Sequence, residues 1–180
     1  MKNKTIKVWD KPVRLVHWLL AIAIAAAWFT RHRNDGIHEY IGYTAGVLVA
    51  LRFIWGFVGG RHARFAQFLR PPRATLDYLR QVLNATAPRH LGHNPLGGWM
   101  AVLLWTSVAL LVATGWALGT DLLWGYAWPV LVHATVAWSM LALLALHVCG
   151  VILTSWQHRE NLVAAMVTGD KAQAQPGDID

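Results

Sequence analysis

Four long apolar runs constrain this 180-residue chain more than anything else in it; they lie at residues 13–30, 38–59, 97–119 and 128–155. A helix rising about 1.5 Å per residue needs roughly 20 residues to cross a hydrocarbon layer about 30 Å thick. The runs match that length and fit spanning helices rather than strands. Five basic residues, Lys2, Lys4, Lys7, Lys11 and Arg14, precede or open the first, which has no small-residue cleavage site and leads straight into a hairpin. It reads as a retained span. Composition agrees: 56% of residues are hydrophobic, 14% are charged and eleven are tryptophan, which excludes an ordinary soluble domain.

The net charge of +7 does not point to nucleic acid. The basic residues form patches beside apolar spans, with no nucleic-acid motif next to them, and they act as topology signals. Arg61, Arg64, Arg70, Arg73, Arg80 and Arg89 lie between the second and third runs, and Arg159 and Lys171 follow the fourth. With the N-terminal lysines, they place both termini and the 60–96 connection in the cytoplasm. The outward connections are short. "RHRNDGI" at 31–37 carries Asn34-Asp35-Gly36 turn chemistry, and "GTDLLWGYAW" at 119–128 supplies Trp124, Tyr126 and Trp128 to an interfacial aromatic belt. The expected fold is all-α, an integral membrane up-down-up-down four-helix bundle over residues 1–169, followed by a disordered cytoplasmic tail at 170–180.

The ordered part of the long connection is expected to begin at "RPPRATLDYLRQVLN". Pro71 and Pro72 can open a helix there. Leu76, Leu79, Val82 and Leu83 share one face, opposite Arg73, Asp77, Arg80 and Gln81. This predicts a short amphipathic helix on the membrane surface; a solvated linker or a docking patch for a partner is the competing reading. The single cysteine, Cys149, excludes an internal disulfide, and no C-x-x-C-H motif is present for covalent haem attachment.

Ionisable groups inside a membrane helix are costly and usually face the bundle interior, so each histidine in a span is a functional candidate. His133 and His147 are fourteen residues apart, which returns them to within roughly 40° of one face while separating them by about 21 Å along the axis. They look into the same core at opposite depths. His17, near the inner start of the first helix, matches the depth of His147. His38, at the outer start of the second, matches His133. Two facing imidazoles at one depth suit bis-histidine haem ligation, each offering a nitrogen lone pair to iron. Zinc would want three or four converging ligands with sulfur or carboxylate among them. The rival reading is two interhelical hydrogen-bonded pairs, worth roughly 1 kcal/mol each.

Gly42, Ala45 and Gly46 follow His38 on a similar face and leave room for a porphyrin edge, although plain helix packing explains them almost as well. Arg52 lies fourteen residues after His38, at the depth of the inner pair, where a haem propionate is its natural anionic partner. Arg14, one turn before His17, could serve the same haem. Both arginines could instead snorkel to the inner head groups. His32 and His62 read as surface residues and His158 as interfacial. His90 and His93 frame a helix start at Asn94-Pro95, with His93 a minor candidate for a quinone pocket.

"VWDKPVRLVHW" at 8–18, "HEYIGYTAGVLVALRFIWG" at 38–56, "GHNPLGGWM" at 92–100 and the His133/His147 pair resemble the bacterial cytochrome b561 and nickel-iron hydrogenase cytochrome b superfamily over residues 5 to 168. The resemblance implies a diheme cytochrome of the bacterial inner membrane, with two haem b held by His17, His38, His133 and His147. It also implies electron exchange with a quinone such as ubiquinone and with a redox partner or small oxidant across the bilayer. Superoxide is one such species, which Arg31 and Arg33 would steer. Two alternatives stand beside this free-standing carrier: a membrane-anchor subunit of a larger dehydrogenase or hydrogenase-like complex, and a haem-free transporter or scaffold. A homodimer is compatible with either cytochrome reading.

Overall fold

The computed structural model describes residues 5–33, 36–123 and 125–180. Lys2, Lys4, Asn34, Asp35 and Trp124, which entered the topology, turn and belt expectations, lie outside the described residues. In chain order the elements are β1 (Thr5–Lys7), α1 (Lys11–Thr30), α2 (Ile37–Val58), a 3-10 turn (Arg61–Ala63), α3 (Phe65–Phe68), α4 (Pro72–Leu83), α5 (Pro95–Leu118), α6 (Trp128–Gln157), α7 (Leu162–Thr168) and β2 (Asp170–Ala172).

Helices α1, α2, α5 and α6 are long and apolar enough to cross a membrane, and only 6–17% of each apolar window is buried within the protein. Ile22, Phe29, Phe53, Leu131, Trp138 and Ile152 stand exposed along them. In water such area costs about 25 cal/mol per Å², a cost that lipid removes. The chain is a multi-pass membrane protein.

Contacts divide the chain into two compact units. One comprises Leu15–Ile54 and Val102–Ala145. Leu20, Ala23, Ala45, Leu48, Val108 and Met140 form its buried cluster. Small residues at Ala23 and Ala45 let helix backbones approach, and a Cβ placed on Gly46 would meet the Val112 side chain at 3.2 Å.

The other unit comprises residues 5–14, Trp55–Ala101 and Leu146–Asp180. Asp10 organises its start. One carboxylate oxygen accepts from the Val13 amide (3.0 Å) and caps α1; the other accepts from Trp55 Nε1 (2.8 Å) and the Gly60 amide (3.3 Å). The long connection is ordered earlier than expected, from Arg61 onward. The reason lies at Gly56, where a Cβ would fall 2.1 Å from the Phe65 ring. Without one, that ring packs on the end of α2 and seats α3, whose Phe68 is completely buried.

The chain's last eleven residues also depart from the expected disordered tail. Asn161 caps α7 by accepting from the Ala164 amide (2.8 Å), and Gly169 ends it in the left-handed region (φ +89°). The Gly169 carbonyl then accepts from the amides of Val8 (2.9 Å) and Trp9 (3.1 Å). β2 pairs antiparallel with β1, Ile6 opposite Lys171, and Ile179 exchanges backbone hydrogen bonds with Arg89 (2.8 Å) and Leu91 (2.9 Å). Low apolar content misleads here because the segment is held by backbone pairing and buried charge. Arg89 binds Glu160 (2.7 Å) and Asp178 (2.5 Å), and Lys171 binds Glu160 (3.1 Å).

Candidate functional site

His38 opens α2 and His133 lies in the second turn of α6. Their ring centroids are 6.2 Å apart, with planes at 78°. Each ring is tied through Nδ1. That of His38 is 2.9 Å from the Ala27 carbonyl oxygen, which can only accept, so Nδ1 carries the hydrogen and Nε2 keeps its lone pair. That of His133 is 2.8 Å from Thr114 Oγ1 on α5. Sequence reasoning reached both histidines but neither of these partners. Thr114 could have been found by the same depth matching, since it stands four residues before the end of α5.

Arg52, in the same unit, is only 3% exposed, and its guanidinium carbon lies 4.7 Å from the Trp105 ring centroid. His17 is half-buried, with its ring 5.1 Å from that of Trp18. His147 is half-buried in the other unit. Arg14 has a local job, its guanidinium donating to the Val167 carbonyl at the end of α7. Arg31, just past the end of α1, turns back on that helix, donating to the Trp28 carbonyl (2.6 Å) and lying 4.1 Å over the Trp28 ring.

Of the remaining histidines, His32 is exposed and the other four are packed or paired. His93 sits between Trp9 (4.7 Å) and Phe68 (4.8 Å). His90 stands edge-on to Tyr78 at 5.0 Å; burial pushes its pKa down, against its bond to the Pro88 carbonyl. Burial also pushes the Tyr78 hydroxyl up to about 12, partly opposed by Asn94. His62, expected on the surface, binds Asp180 at 2.9 Å. His158 lies beside the Arg89–Glu160–Lys171 cluster; burial lowers its pKa, with Lys171 and Arg89 adding to the effect and Glu160 and Asp178 opposing it. Among the described residues no three His, Cys, Asp or Glu side chains converge as a metal cluster, so the imidazoles offer themselves in pairs or singly.

Paired imidazoles on apolar spanning helices define a class, the membrane proteins that hold a redox group between helices. Residues 8–169 match the model of the prokaryotic cytochrome b561 family, and the chain belongs to that family. It is 26% identical to a "probable Ni/Fe-hydrogenase B-type cytochrome subunit" of Rhizobium leguminosarum bv. viciae, over 95% of this chain and 90% of that one. Proteins of the same name from Rhodobacter capsulatus (23%, covering 94% and 82%) and Cupriavidus necator (26%, covering 93% and 88%) are also similar. No solved structure matches. The chain is accordingly a b-type membrane cytochrome that works in electron transfer.

Proposed function

We propose that this cytochrome is the haem-carrying membrane subunit of a larger redox complex, taking or giving single electrons to a water-soluble redox enzyme. The names of its relatives favour this reading over the free-standing carrier expected from the sequence. In it, His38 with His133 hold one haem b in a bacterial inner membrane, and His17 and His147 are each a ligand candidate for a second. The four spans run up-down-up-down, both termini are cytoplasmic, and α4 rests its Leu76–Leu79–Leu83 side on the membrane.

The His38/His133 pair carries the proposal. The 6.2 Å between the two ring centres leaves room for a metal ion that would take one nitrogen from each imidazole at about 2 Å. The observed spacing fits. Haem b bound there supplies reversible one-electron oxidation and reduction at iron. The chain's own part is to fix the tautomer: the Ala27 carbonyl holds the His38 ring by its Nδ1–H. Arg52 is assigned to a propionate of the inner haem on its depth and burial. Arg14, engaged with Val167, is not.

The test is purification from native membranes, with spectra and subunit analysis. A reduced α-band, two haems per chain and a co-purifying soluble redox subunit are expected. A protein without a Soret band would end the cytochrome assignment of these histidines. A diheme chain that purifies without a partner and is fully reduced by ubiquinol would restore the free-standing reading.

A further inference from the structure

Thr114 makes three short contacts through one oxygen. Its Oγ1 is 2.8 Å from the Leu110 carbonyl oxygen, 3.2 Å from that of Leu111 and 2.8 Å from His133 Nδ1. A hydroxyl has one proton to give. If it were given to His133, Nδ1 would be the bare nitrogen and Nε2 would carry the hydrogen, while the two carbonyls beside Oγ1 would receive nothing from it. Given instead to Leu110, the usual backward bond of a helical threonine, it leaves the oxygen's lone pairs facing Nδ1. The imidazole then donates, all three groups are satisfied, and the relay runs from Nδ1–H to Oγ1 and from Oγ1–H to the Leu110 carbonyl. Such chains polarise one another and strengthen each bond.

We infer that Thr114 is a positioning residue for His133: as the middle of this relay it selects the tautomer whose Nε2 lone pair is available to iron, and sets how strongly that nitrogen donates. The inference rests on the ligand role proposed for His133. His38 is served by the Ala27 carbonyl, a backbone group that every side chain at position 27 would provide. On the His133 side the same job falls to a side chain, so this ligand can be tuned by substitution and its partner cannot. A Cβ on Gly115 would meet His133 Cε1 at 3.4 Å, ordinary contact, so the ring is approached on that side without being forced and its place does not depend on a glycine.

The experiment uses the full-length haem-loaded protein and three versions of it: wild type, Thr114→Val, which keeps the shape and loses the hydroxyl, and Thr114→Ser, which keeps the hydroxyl. Readouts are the midpoint potential of each haem, the electron paramagnetic resonance signature of each low-spin iron, and haem retention during titration with apomyoglobin. Thr114→Val is expected to raise the potential of one haem, because an imidazole without its acceptor is a poorer electron donor, and to weaken that haem's retention about 10–100-fold. The second haem should keep its values, and Thr114→Ser should restore the first. Unchanged potentials and signatures in Thr114→Val would overturn the inference, as would equal loss of both haems or a Thr114→Ser protein that behaves like the valine variant. A wild-type protein lacking bis-histidine signatures would overturn the ligand proposal itself, so the two failures are separable.

Discussion

The two units solve the problem of polar groups in opposite ways. In the Leu15–Ile54 and Val102–Ala145 unit they are few, and their contacts include neutral groups: His38 with a carbonyl, His133 with a hydroxyl, Arg52 over Trp105. In the unit that carries both strands, charges are gathered into a network in which Arg89 and Lys171 share Glu160, and Arg89 also reaches Asp178. The first arrangement does not depend on carboxylate protonation. The second must, because a buried ion pair is favourable only while both partners stay charged.

Breaking a ligand on one side should give the largest effect. His133→Ala is expected to remove the haem proposed to sit between His38 and His133, seen as a loss of haem per chain in the pyridine haemochrome assay, while hydrogen exchange in β1 and β2 stays as in wild type. Loss of strand protection as well would show that the units depend on each other. Breaking the other side comes next. Glu160→Gln leaves Arg89 and Lys171 without their shared carboxylate, and removing one partner of a buried pair costs roughly 3–5 kcal/mol. Limited trypsin digestion should then cut beyond residue 160 much faster, with the haem bands unaltered.

Acid should act in the same direction as Glu160→Gln and more gradually. Burial pushes the Glu160 carboxyl up, but the Arg89 hydrogen bond and the Lys171 charge outweigh it and hold the pKa below 4.5. Between the folded pKa and 4.5 the unfolded chain binds more protons, so this group's contribution is complete above 4.5 and fades as pH falls through the folded value. Lys171 has the same sign at the alkaline end. Burial lowers its pKa below 10.5 despite Glu160, so stability rises with pH between the folded value and 10.5. Exchange of the Lys171 amide, corrected for intrinsic rate, should quicken below pH 4.5; an unchanged rate down to pH 3 would refute the network's role. Arg52→Gln is expected to lower the potential of the nearer haem, since a lost positive charge favours the oxidised form. The smallest effect is reserved for exposed Cys149: Cys149→Ser should stay within about 0.5 kcal/mol of wild type in thermal stability.

How far the sequence could be read follows the same division. The expected span 13–30 lies inside α1, and 38–59 and 97–119 fall within two residues of α2 and α5, because length and hydropathy are local properties. The helix at Pro72–Leu83 was equally legible from its proline start and leucine spacing. His38 and His133 could be paired from helix direction alone, and the structure brings them together. Thr114 was readable by its depth but not by its type, because a threonine in an apolar helix is ordinary until its neighbour is known. The last eleven residues were misread for a related reason: Lys171 and Asp178 look like solvated charges until Arg89 and Glu160, far away in sequence, are placed beside them. The hydrogen bond from Arg14 to the Val167 carbonyl was not legible from its place one turn before His17, because it depends on the return of α7.

The pairing of Thr5–Lys7 with Asp170–Ala172 also fixes an order of events during synthesis. A ribosome adds about 5–20 residues per second, so β1 emerges long before its partner, and all four spanning helices are made in the interval. Its exposed edge stays open until the last of them is finished. The strand pair is therefore a closing stitch, and a chain arrested before residue 170 would display the open edge of β1 to the proteases that remove incomplete membrane proteins.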